Sequence, residues 1–93
     1  MIFEWDDRKS RSNLKKHGVS FEEARFVFAD PLSLTVADPE HSESEHRFID
    51  IGMSDKRRLL VVAYVERSRG IRIISARQAL PAERRCYEEN NCY

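Results

Sequence analysis

The stretch Leu59-Leu60-Val61-Val62-Ala63-Tyr64-Val65-Glu66-Arg67-Ser68-Arg69-Gly70-Ile71-Arg72-Ile73-Ile74-Ser75-Ala76-Arg77 decides the fold. Leu59 to Val65 is apolar at odd and even positions alike, the mark of a strand buried on both faces at the centre of a sheet. Ser68-Arg69-Gly70 is a compact link of the hairpin kind, so Ile71 to Ala76 returns beside it as an antiparallel neighbour. Alternation along this second strand sends Ile71, Ile73, Ser75 and Arg77 to one face and Arg72, Ile74 and Ala76 to the other. Burying an unpaired guanidinium is costly, so both arginines must reach water, a carboxylate or an anionic ligand. Arg77 stands at the strand's end, where its stem packs on the core while its head emerges.

Working outward, Ser54-Asp55-Lys56 is a second short link, which pairs a strand over Arg47–Met53 with the central one. Leu32–Val36 reads as an edge strand. Pro81 suits the first turn of a last helix running to about Glu89. Towards the N-terminus, Ser20-Phe21-Glu22-Glu23 is a capping box, followed by the helical stripe Phe21, Ala24, Val27, Phe28 and the stop Asp30-Pro31. Ahead of it, Asp6 or Asp7 caps a helix to about His17, with Gly18 closing it. That helix is polar almost all round, and Leu14, held by Trp5, is its expected anchor. Ile2–Trp5 alternates as a short strand. The order β-α-α-β-β-β-β-α describes an α+β domain, an antiparallel sheet with helices packed on one face.

With 93 residues, 41% hydrophobic and 34% charged, the chain supports one core and a dense ionic surface. Sixteen basic and sixteen acidic side chains cancel, which argues against nucleic-acid binding by bulk charge alone. The charges are segregated, however: basic blocks at Arg8–Lys16 and Lys56–Arg72 enclose an acidic segment with Asp38, Glu40, Glu43 and Glu45. No apolar run approaches the ~20 residues of a membrane helix and no signal-peptide pattern is present, so a cytoplasmic protein is expected. Cys86 and Cys92 form no disulfide framework, as suits a reducing compartment. His41 and His46 flank Glu43 and Glu45 without a strong ligand spacing, so neither a metal site nor a cofactor is expected.

Arg47 ends the Arg47-Ile49-Ile51 face as Arg77 ends its own, and the two converge only if strand register allows. Their alternative fate is pairing with Glu83, Glu22 or Glu23. His17, beside Lys15 and Lys16, can exchange a proton near neutral pH; the alternative is a surface histidine at a helix end. Arg84 and Tyr87 lie one helical turn apart.

Phe3-Glu4-Trp5-Asp6, the run Asn13 to Ala24, Asp30-Pro31-Leu32, His46-Arg47-Phe48-Ile49, Ile51-Gly52-Met53-Ser54, Ile73-Ile74-Ser75-Ala76-Arg77 and Glu83-Arg84-Arg85-Cys86-Tyr87-Glu88 follow one another in order. Together, from residue 2 to about 89, they resemble a BrnT-type toxin. Asn90–Tyr93 falls outside the pattern and is expected to be a tail. The resemblance implies a single RelE-like domain over residues 1–93, a type II toxin that cleaves RNA and arrests translation. It also implies a cognate BrnA-like antitoxin with a ribbon-helix-helix domain, through which alone operator DNA is contacted.

Metal-independent RNA cleavage needs a proton acceptor, a proton donor and cations on the phosphoryl oxygens. On that chemistry Arg77 and Arg47 form the phosphate clamp, His17 is the acid or base, and Lys16 adds charge. Arg84 and Tyr87 stack on a base or donate to phosphate, and Arg72 is the weaker RNA contact because alternation turns it away. The rival reading is a non-catalytic partner-binding module, a co-repressor with a ribbon-helix-helix protein.

Overall fold

A computed structural model describes residues 2–38 and 46–90. Glu40, His41, Glu43 and Glu45 of the acidic segment, and Cys92 in the tail, lie outside the described residues. The elements are β1 (Ile2–Glu4), α1 (Asp7–His17), α2 (Phe21–Ala24) running into a 3-10 turn (Arg25–Ala29), β2 (Leu34–Ala37), β3 (Arg47–Met53), β4 (Leu59–Arg67), β5 (Gly70–Gln78) and α3 (Pro81–Glu89).

The five strands lie in the order β1-β5-β4-β3-β2, with the all-apolar β4 at the centre. β2 to β5 form the expected antiparallel meander. β1 departs from it by pairing parallel to β5, Ile2 opposite Gly70 and Glu4 opposite Arg72, so the sheet is mixed. The N-terminal strand enters along the free edge of the last strand and runs the same way. Gly70 permits this approach, because a Cβ there would sit 2.0 Å from the Ile2 carbonyl oxygen.

The helices also differ from expectation, since they cover both faces. α2 and the turns beside it bring Val19, Phe21, Ala24 and Val27 onto Leu60, Val62, Tyr64, Ile71, Ile73 and Ala76. On the opposite face, Ile51, Leu59 and Val61 pack with Ile49, Met53, Ala79 and Tyr87. The Ala79 amide extends the ladder by donating to the Leu59 carbonyl, and Leu80–Pro81 then turns the chain so that Tyr87 lands there.

The local signals for α1 hold. The Asp6 carboxylate accepts from the Arg8 and Lys9 amides, and Gly18 closes the helix with φ at 70°. Its anchor is not Leu14, which is 51% exposed, but buried Asn13. β1 pairs with β5 only as far as Arg72, so the backbone of Ala76 has no strand partner on that edge. The Asn13 carboxamide takes the place of one. It donates to the Ala76 and Val19 carbonyls at 2.8 Å and accepts from the Ala76 amide at 3.1 Å. A side-chain amide thus supplies the donor and acceptor that buried backbone demands.

The largest consequence for function comes from a β-bulge. Tyr64 pairs with Ile73 and Ala63 with Ser75, leaving Ile74 extra in β5. The extra residue resets the side-chain phase. Ile71, Ile73 and Ala76 therefore all enter one core, although uniform alternation assigns Ala76 to the other face. Arg72 and Arg77, predicted to point apart, share the face opposite that core.

Candidate nucleic-acid interface

Register fixes which charges meet on the guanidinium face. Arg47 of β3 and Arg72 of β5 both pair with Val65 of β4 and flank it from either side. Glu4 lies outside Arg72 and Asp38 outside Arg47, completing a lateral row across the sheet. Arg67 reaches the same end from β4 and faces Glu4 at 3.9 Å; Arg72 faces Glu4 at 3.8 Å, and Arg47 faces Asp38 at 3.8 Å. The pairs of Arg67 and Arg72 with Glu4 lie at a solvated rim, where ion pairs contribute little stability, whereas the Arg47 and Asp38 side chains are more covered, at 25% and 14% exposure.

Arg77 pairs with Val61, four residues before Val65 in β4, so its row is about 13 Å from that of Arg47. The expected convergence of Arg47 with Arg77 is replaced by that of Arg47 with Arg72, about two strand spacings, or ~10 Å, apart. Arg77 makes a bidentate pair with Glu83 at 2.7 Å for both bonds, and also donates to the Gln78 carbonyl. Glu83 accepts from the Leu80 amide as well, which ties the start of α3 to β5. The pairing alternative is thus realised, and an anionic ligand at Arg77 must compete with that carboxylate.

His17 comes to the same end of β5 from the other side of its open edge. Asn13 docks on Ala76, and His17, four residues on, lies on the same side of α1 one turn nearer Gln78. The polarity of α1 is fixed because the Gly18 carbonyl accepts from Arg58, at the end of the sheet where β4 begins. His17 and Lys16 are exposed. Among the described residues, no hydrogen bond or ion pair joins His17 to Arg77.

On α3, Arg84 is exposed, whereas Tyr87 packs in the second core and donates to the Asp30 carboxylate at 2.7 Å. Burial together with that bond pushes the Tyr87 phenol up to about 12, so it stays protonated at neutral pH and holds α3 in place. Cys86 is a half-buried free thiol.

Two buried carboxylates escaped sequence reading. Asp50, 4% exposed, accepts from the Tyr64 hydroxyl at 2.9 Å, and burial raises its pKa. Glu23 departs from its capping role: the Ser20 hydroxyl accepts from the Glu23 amide, but the Glu23 carboxylate is engaged by Arg58 and by the Ser54 hydroxyl. The Arg58 hydrogen bond holds it below the usual carboxylate range, and Arg77 does the same for Glu83. Depressed carboxylates stabilise the fold above their unfolded values, near 4.5, and lose that contribution as pH falls through the folded values. Asp50 acts oppositely, its contribution declining as pH rises from 3.8 through its raised value. Melting temperature is therefore expected to fall as pH drops below 4.5, with a shallower slope in Glu83→Gln. Thermal scans at several pH values check this.

Among the described residues no group of three or more His, Cys, Asp or Glu side chains could hold a metal ion. No helix among them is long and apolar enough to cross a membrane. The fold resembles the 1.1 Å crystal structure of the Brucella abortus ribonuclease toxin BrnT, with a TM-score of 0.62 and 21% identity, over 86% of this chain and 99% of that one. No curated protein matches the chain. The family model of BrnT, ribonuclease toxin of type II toxin–antitoxin systems, matches residues 5–83, and the chain belongs to that family.

Proposed function

We propose that the guanidinium face binds single-stranded RNA and that the chain cuts it without a metal ion, arresting translation in the cytoplasm until an antitoxin covers the toxin. The observation that carries this reading is the bulge at Ile74, which puts Arg72 and Arg77 on the face already occupied by Arg47. Without it, the surface would lose its lower cation.

Arg47 and Arg72 contact phosphate oxygens above Val65, each through a planar fork, with Arg67 extending the track. Arg77, once Glu83 yields, holds the scissile phosphate at the lower end. There the 2′-hydroxyl attacks the adjacent phosphorus in line, the P–O5′ bond breaks, and a 2′,3′-cyclic phosphate forms. The guanidinium offsets the charge that builds on the equatorial oxygens. His17 reaches around the open edge of β5 to take the 2′-hydroxyl proton or to protonate the departing O5′, water serving the other transfer, and Lys16 and Arg84 add charge at the rim.

A partner of the ribbon-helix-helix class, similar to BrnA, neutralises the toxin and carries the complex to operator DNA. The purified chain, free of antitoxin and with EDTA present, is expected to cut a defined RNA into fragments ending in 2′,3′-cyclic phosphate. Intact RNA would favour the non-catalytic co-repressor.

A further inference from the structure

We propose that the depression at the upper rim of the sheet, where β3 begins and β4 ends, is a guanine-binding subsite. The proposal rests on the ribonuclease reading only for the polymer that carries the base. His46, Phe48, Glu66 and Arg67 line the depression.

Phe48 stacks on Tyr64 with ring centroids 5.7 Å apart and planes inclined by 28°. It is half-buried, supported by Tyr64 from within, and contributes aromatic surface to the depression. Such a backed ring is a platform on which a base stacks. His46 and Glu66 lie one residue beyond the Arg47–Val65 pair, so they stand opposite each other on the face of Phe48 and Tyr64. Both are exposed, and among the described residues no hydrogen bond or ion pair reaches the Glu66 carboxylate. Arg67 lines the depression while belonging to the guanidinium row through Glu4, which connects the base site to the phosphate track.

The carboxylate selects the base. Ionised Glu66 only accepts, with two oxygens in one plane. Guanine alone presents two adjacent donors, N1–H and the N2 amino group, along its Watson–Crick edge. Adenine and cytosine place a ring-nitrogen acceptor beside their amino groups, and uracil sets its one N–H between two carbonyls. An acceptor facing the carboxylate is repelled and leaves the Glu66 charge unsatisfied. His46 can donate a ring N–H to the guanine O6 from the opposite side.

The test is a calorimetric titration of the full chain with each of the four nucleoside 3′-monophosphates, none of which can be cleaved. The guanosine nucleotide is expected to bind roughly ten- to a hundredfold more tightly than the others, the discrimination of one good bidentate pair. Glu66→Gln should lose that preference, and Phe48→Leu, which keeps the apolar contact with Tyr64, should weaken all four. Equal affinities, no binding at all, or a Glu66→Gln chain that still prefers guanine would overturn the subsite. Cleavage of RNA without guanine selectivity leaves the ribonuclease reading standing. Guanine-selective binding by a chain that cuts no RNA sinks the ribonuclease reading alone.

Discussion

Arg77→Ala is expected to lower the rate of RNA cleavage by about two to three orders of magnitude, the usual cost of removing one preorganised donor from an anionic transition state. Growth arrest on expression should disappear with it. Because Arg77 also anchors α3 through Glu83, loss of activity by itself could reflect a loosened helix. Two further variants separate the causes. Arg77→Lys keeps the charge but not the fork, and should remain strongly impaired. Glu83→Gln weakens the same anchor while freeing the guanidinium, and should retain cleavage and bind RNA more tightly. A folded Arg77→Ala protein with full activity would remove Arg77 from the site, and an inactive Glu83→Gln would show that the pair itself is what matters.

The largest effect on stability is expected at Arg58. Its guanidinium forks onto Glu23 and also donates to the Gly18 carbonyl, joining the β3–β4 link to α2 and to the end of α1. The Glu23 side chain is 1% exposed and that of Arg58 is 29% exposed, so the two partners are not equivalent. Arg58→Ala leaves a buried carboxylate with only Ser54 beside it, at a cost of about 3 kcal/mol or more. For a domain of this length that is a fall of roughly 15 °C in melting temperature. Glu23→Gln should cost less, because the abandoned guanidinium can reach water. In the Glu23→Gln background, Arg58→Ala should become markedly milder. Urea denaturation of the four proteins of this cycle measures the coupling, and additive losses would mean that the buried charge is not the cause.

What was legible in the sequence was local. Asp6, Gly18 and Ser20 announce their caps through short-range chemistry, and the doubly apolar run Leu59 to Val65 announces a central strand. What was hidden depended on partners distant in the chain. The direction of β1 is set by the edge it finds, and nothing in Ile2–Glu4 encodes an edge. Asn13 looks like one more polar residue on a polar helix until the unpaired Ala76 backbone is beside it. The bulge carries no glycine or proline to mark it; Ile73-Ile74 reads as uninterrupted strand. That concealment explains the misplacement of Arg77 relative to Arg72, because strict alternation is wrong past any inserted residue. Of the candidate residues, Arg47, Arg72 and Arg77 share a face, and His17 and Lys16 are exposed at the end of α1. Tyr87 belongs to the anchoring of α3.

The inserted isoleucine makes the distance between Arg72 and Arg77 a matter of counting parity. Five steps separate two side chains on the same side only because one step does not invert the strand. Point substitutions between them leave this count untouched, so the interval can drift in composition. A single deletion or insertion there would turn Arg77 towards the aromatic core or force the ladder to slip by one. The interval should therefore tolerate exchange of residues far better than any odd change in its length.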